Sequence, residues 1–193
     1  MVGVQQEHRS NIGNTGRGTA GCWSAEHVLQ IRRQPLPEAA LIHARDALPI
    51  DPALVLWDLW PVQTDDGAPA QVCGGTLWVI LSAPRCGNPD ARHDVARMRL
   101  FHRIENAWRD CGALLPDDLC PGSREWSGST RLDPKSGMVT LWFTAAGRRE
   151  GGPQFEQRLF VSTGHLDATG EHPKITGWSA ASETISSAGT AGK

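Results

Sequence analysis

No run in the sequence approaches the roughly 18 consecutive apolar residues that a membrane-spanning helix needs, so no membrane partner is expected. Neither sign of charge is in excess. A formal net charge of -2 and a pI near 6.4 leave no electrostatic footprint for a polyanion, because nucleic-acid binders concentrate Lys and Arg on one face. The five cysteines, Cys22, Cys73, Cys86, Cys111 and Cys120, include no C-x-x-C pair, which removes zinc knuckles and redox motifs and reads them as mostly buried thiols. The seven histidines never fall into H-x-H or H-E-x-x-H spacing, so spacing proposes no metal site and no cofactor. His93 and His102 read as packing or surface residues. The contexts of serine nucleophiles, "GDSGG" and "GxSxG", are also missing, so no serine here reads as an acyl-enzyme residue.

What remains is a chain of 193 residues, 39% hydrophobic and 21% charged, enough for one sizeable globular domain. Residues 1–21, rich in Gly, Asn and polar side chains, read as a flexible leader; they contain no apolar core of an ordinary secretory signal peptide, and export by another route stays open. Ser24 is placed to cap a short helix over "AEHVLQIRR". The stretch "QPLPEAALIHARDALPIDP", with four prolines, reads as a connector.

From Leu54 the pattern changes to short apolar or alternating runs: "LVLWDLWPVQ", "GGTLWVILSA", "VARMRLFHRI", "REWSGSTRL", "MVTLWFTAA" and "QFEQRLFVSTGHL". Their separators carry the Asp, Asn and Gly that hairpin turns accept. In "STRLDPKSGMVTLWF", Pro134 suits the second turn position, Gly137 can take a positive φ, and Val139, Leu141 and Phe143 share one face. This is an all-β meander, built as a sandwich, a barrel or propeller blades; periodicity does not choose among them. From Ala180 the small, polar tail reads as a disordered terminus or a strand cut off from its neighbours.

Two stretches carry chemistry. Asp58 stands between Trp57 and Trp60, two of the eight tryptophans. Indole faces stack on the apolar faces of sugar rings, and a carboxylate held among them can attack an anomeric carbon or stabilise its charge. The alternative is plainer, with the tryptophans filling core and Asp58 capping a turn before Pro61. "SREWSGS" offers Trp126 as a second stacking face and Ser127 as a hydroxyl that can bind a sugar or orient a carboxylate; it also reads as a strand start with a glycine bulge.

Taken together, "WSAEHVLQI", "VLWDLWPVQ", "GGTLWVILSAP", "REWSGS", "LWFTAAG" and "FEQRLF" resemble, in order and spacing, the levansucrase and inulosucrase enzymes of glycoside hydrolase family 68, over roughly residues 22–184. That resemblance implies a five-bladed β-propeller, here its first half with a short N-terminal helix, followed by a tail at 185–193. It implies action on sucrose with retention, and sucrose and fructan acceptors as partners. Asp58 then corresponds to the nucleophile, Trp57 to a wall of the fructosyl subsite, and Trp126 and Ser127 to contacts with the same sugar. Leu59 departs from the Ser or Thr common in the family. The family's "R-D-P" motif and its acid/base glutamate have no counterpart before residue 193, and "RLDP" at 131–134 reads instead as a hairpin turn. The resemblance therefore implies the N-terminal part of such an enzyme, extracellular or periplasmic, with no metal. A catalytically inactive, sugar-binding propeller fragment and an unrelated β-sandwich module are the competing readings.

Overall fold

The computed structural model describes residues 23–33, 40–41, 43, 49–151 and 155–185. The expected leader at 1–21 and most of the tail at 185–193 lie outside them. The chain divides into two units, Met1–Ala47 and Leu48–Lys193. In the first, helix α1 (Ala25–Arg33) begins where expected: the backbone N–H of His27 donates to Ser24 Oγ at 3.2 Å, satisfying one of the orphan donors of the first turn. Arg32 and Arg33 close it, cations at the negative end of the helix dipole.

The second unit is two successive antiparallel blades. The first runs β1 (Leu54–Gln63), β3 (Gly75–Pro84), β4 (Arg97–Ile104) and β5 (Ala107–Ala113), with the two-residue β2 (Gln71–Val72) beside β3. The second runs β6 (Arg124–Leu132), β7 (Met138–Ala146) and β8 (Gln157–Asp167), with β9 (Lys174–Thr176) and β10 (Ser182–Glu183) both paired to β8. The innermost strands, β1 and β6, meet in parallel over two residue pairs only, Val62 with Thr130 and Gln63 with Arg131. Pro61, which cannot donate, falls just before this short contact, where β1 has no strand along its second edge.

Period-two alternation explains the core. Leu77, Val79 and Leu81 of β3 point one way together with their cross-strand partners in β4, while Val139, Leu141 and Phe143 of β7 are buried in the same cluster. Trp60 reaches across from β1, its indole N–H donating to Thr130 Oγ1 at 3.0 Å. The outer edges also touch: the Trp178 indole N–H donates to the Leu114 carbonyl at 3.0 Å.

The hairpin between β6 and β7 forms as expected. Gly137 has φ +72°, the Lys135 N–H and the Ser136 hydroxyl both donate to the Asp133 carboxylate, and these bonds hold that carboxyl below its ordinary pKa. Three expectations are corrected. The tail strand is not cut off, since Ser182 and Glu183 pair with Val161 and Phe160. Of the four cysteines among the described residues only Cys120 is buried; Cys73 takes φ +47° in the turn before β3 and Cys86 follows β3, so both are exposed by their turns. And Asp58 does not cap a turn before Pro61, since β1 runs through it and on to Gln63.

Candidate functional site

Both innermost strands are interrupted at corresponding places. In β1 the register with β3 runs Trp57 to Leu81 and then Leu59 to Ile80, leaving Asp58 unpaired as a bulge with φ +45°. In β6 it runs Trp126 to Thr144 and then Gly128 to Phe143, leaving Ser127 unpaired. A bulge adds one residue to one strand, so it resets which side chains share a face. Trp57 and Trp60, three apart, would point oppositely in a regular strand. With Asp58 bulged they lie opposite Leu81 and Val79, on the same side, and both pack against the core cluster. Leu59 is turned outward, 55% exposed.

The two bulges face each other. Ser127 Oγ donates to Asp58 Oδ2 at 3.1 Å, although 69 positions separate the residues. Both are exposed, whereas Trp57 and Trp126 are half-buried beside them. The backbone of β6 needs the glycine that follows: a Cβ on Gly128 would lie 2.0 Å from the Trp142 carbonyl oxygen. Thus "WSGS" brings Ser127 forward because Gly128 lets β6 and β7 close behind it. The carboxylate beside this motif goes elsewhere. Glu125 is 1% exposed, accepts from the Met98 N–H at 2.7 Å and lies 2.7 Å from Arg97 Nε; burial nevertheless pushes its pKa up.

The turn between β3 and β4 supplies the residues that sequence reasoning missed. Asn88 caps a 3-10 turn, Pro89–Asp94, by accepting from the Asp90 N–H at 3.1 Å. The turn sets the His93 ring between the two tryptophans, with centroids 5.8 Å from Trp57 and 6.5 Å from Trp126, near-perpendicular to each. The Trp126 indole N–H donates to the His93 carbonyl at 3.4 Å. The Arg92 guanidinium lies over Trp57 at 5.2 Å and that of Arg124 over Trp126 at 5.5 Å. Asn88-Pro89 is a legible helix-start signal, but the side to which the ring turns depends on the fold. His102, by contrast, is buried with its Nε2 2.9 Å from the Val72 carbonyl oxygen, as a packing histidine should be.

Behind Trp57 lies a cavity of about 360 Å3, lined among others by Leu54, Leu56, Leu59, Ile80 and Trp108. Asp58 is not among its lining residues, and the cavity suits apolar packing rather than a sugar presented to a carboxylate. The groups that can do chemistry are thus an exposed carboxylate, a hydroxyl holding one of its oxygens, and two indoles. No group of three or more metal-ligating side chains occurs among the described residues, and none of their helices is long and apolar enough to cross a membrane.

The family model described as levansucrase/invertase matches residues 13–189. An extracellular sucrase of Zymomonas mobilis is 33% identical over 94 residues, 48% of this chain and 23% of that protein. Levansucrase LscB of Pseudomonas savastanoi pv. glycinea is 23% identical over 139 residues, 63% of this chain and 32% of that protein. Among solved structures, the inulosucrase from Halalkalicoccus jeotgali bound to kestose superposes with a TM-score of 0.64 at 32% identity, over 72% of this chain and 34% of that one. A Bacillus subtilis levansucrase in complex with oligosaccharides superposes with a TM-score of 0.61 at 20% identity, over 76% of this chain and 35% of that one. The fold is accordingly part of a five-bladed β-propeller, and the chain spans about a third of the length of these solved relatives.

Proposed function

The chain belongs to the levansucrase/invertase family, glycoside hydrolase family 68, and from that premise we propose that it carries the nucleophile pocket of a sucrose-cleaving fructosyltransferase working by retaining double displacement. Asp58 attacks the anomeric carbon of the fructosyl unit as the glycosidic bond breaks and glucose leaves with a proton from the acid, and the covalent intermediate so formed is then released to water or to a sugar acceptor such as sucrose or a growing fructan. Trp57 and Trp126 offer the sugar their ring faces, and Ser127 fixes the rotation of the Asp58 carboxylate. The supporting observation is the 3.1 Å Ser127–Asp58 hydrogen bond, which joins the two halves of the sequence signature in one place.

Retaining cleavage needs a second carboxyl group roughly 5–5.5 Å from the first, acting as acid and then as base. Glu125, beside Trp126, is committed to Arg97 and the Met98 N–H in the core. We therefore assign the acid/base and the transition-state stabiliser to residues outside this chain, in an extracellular or periplasmic enzyme of which this chain is the N-terminal part. The second reading, an inactive unit that at most binds sugar, is favoured by the same burial of Glu125.

An activated substrate separates the two. The fluoride of fructosyl fluoride departs as F⁻ without needing protonation, so the nucleophile can act with no acid present; with no base present, the intermediate decays slowly and accumulates. Intact-mass measurement on residues 1–193 should show one added fructosyl unit, mapped to Asp58 and missing in Asp58→Asn. No adduct on the unmodified chain would leave the inactive reading standing. Saturable glucose release from sucrose by this chain would show that a second carboxylate lies within it.

A further inference from the structure

Both indoles of the site are half used. Each has a guanidinium over its ring, Arg92 on Trp57 and Arg124 on Trp126, and the Trp126 N–H is spent on the His93 carbonyl. Trp126 therefore meets a ligand through its ring and not through its only donor. For both rings the useful surface is the one turned away from the arginine, and its value depends on the angle at which the ring is held.

The group between the rings is His93. Its imidazole stands at 73° to Trp57 and 75° to Trp126, the near-perpendicular arrangement that aromatic quadrupoles favour, so one ring makes an edge contact with both indoles. Its segment is pinned independently of the ring: Asn88 caps the turn, the Val95 N–H donates to the Arg92 carbonyl at 3.4 Å, and Asp94 lies 3.5 Å from the Arg124 guanidinium. Arg124 thus touches both the tryptophan and the turn that carries the histidine. A filler of the core would be buried; His93 is half-exposed at the same rim as Asp58 and Ser127.

We propose that His93 is a positioning residue of the sugar site, a wedge that sets the angle between Trp57 and Trp126 so that both open ring faces meet one furanose or pyranose ring beside Asp58. This rests on the reading of the Asp58 pocket as a sugar site. The His93 Nε2 also accepts from Arg92 Nε at 3.4 Å, a long bond that phenylalanine lacks, but the wedge acts chiefly by shape and ring polarity, so another aromatic ring largely replaces it and a methyl group does not.

The test compares His93→Ala and His93→Phe in the 193-residue chain, with the indole N–H resonances assigned by Trp→Phe variants. In His93→Ala the heteronuclear NOE of the Trp57 and Trp126 indoles should fall, reporting added mobility, while those of Trp78 and Trp108 stay unchanged; His93→Phe should restore both. Sucrose titration followed on the same resonances should give a Kd about tenfold weaker in His93→Ala, two aromatic contacts being lost, and within about threefold of the unmodified chain in His93→Phe. Unchanged indole mobility in His93→Ala, or a phenylalanine variant that behaves as the alanine one, would overturn the proposal. If the mobility pattern holds but the unmodified chain binds no sucrose, the wedge stands as a structural device, and what fails is the sugar reading of the pocket and with it the functional role proposed for His93.

Discussion

The two innermost strands solve one problem by opposite means. β1 and β6 each insert an unpaired residue after a tryptophan and thereby aim a polar side chain at the gap between the blades. In β1 the bulged residue absorbs the distortion itself, Asp58 sitting at φ +45°, where a side chain is normally penalised but Asp is tolerated. In β6 the residue after the bulge absorbs it, and Gly128 lets the backbone approach where no Cβ fits. The strained position coincides with the residue we propose as nucleophile and the other with its proposed helper, the distribution expected when strain is tolerated at functional sites.

The largest expected difference between the strands is in reactivity. Asp58→Asn should lower the rate of fructosyl transfer from the fluoride by roughly a thousandfold or more, because the attacking charge is gone, with little change in thermal stability. Ser127→Ala should lower it by roughly ten- to a hundredfold, the worth of one hydrogen bond to a charged group. Equal losses for the two, read by adduct formation over time, would erase the division of labour.

Next comes stability, where the signs should differ. Gly128→Ala forces a methyl group into the Trp142 carbonyl and should destabilise the chain by about 3 kcal/mol, the upper end for overpacking. Asp58→Gly relieves a positive φ and should stabilise it by about 0.5 kcal/mol relative to Asp58→Ala. Urea titrations with unchanged m-values would measure both.

The smallest contrast lies along the pH axis, between the exposed carboxylate of β1 and the buried one of β6. Burial raises the folded-state pKa of Glu125 above its ordinary value of 4.5. The stability it contributes is therefore fully present below pH 4.5 and is lost as pH rises through the folded value. Thermal melts of the unmodified chain should carry this fall, and Glu125→Gln should flatten it. Identical pH profiles for the two would refute the shift.

Much of this was legible in the sequence because the rules involved are local. Asp133, Pro134 and Gly137 announce their turn, the alternation of Val139, Leu141 and Phe143 announces its face, and Ser24 announces α1. The meeting of Asp58 with Ser127 is of another kind: no periodicity links residues 69 apart, and only the family resemblance put them together. The bulge of β6 was signalled by the glycine in "SREWSGS", whereas that of β1 escaped notice because Asp58 has no glycine beside it and looks like an ordinary outward-facing member of a strand. His93 reads only as a packing or surface residue, and which rings it packs on is fixed by a turn that points it across a gap the sequence does not display.

The parallel contact of β1 with β6, two residue pairs long, also bears on how the molecule acquires its shape. Each blade is made of strands adjacent in sequence, whose hairpins close short loops quickly, whereas joining Val62 to Thr130 closes a loop of nearly seventy residues for little hydrogen bonding in return. Loop-closure entropy therefore predicts that the blades form before they dock, and that Asp58 and Ser127, one on each blade, meet only in that docking step.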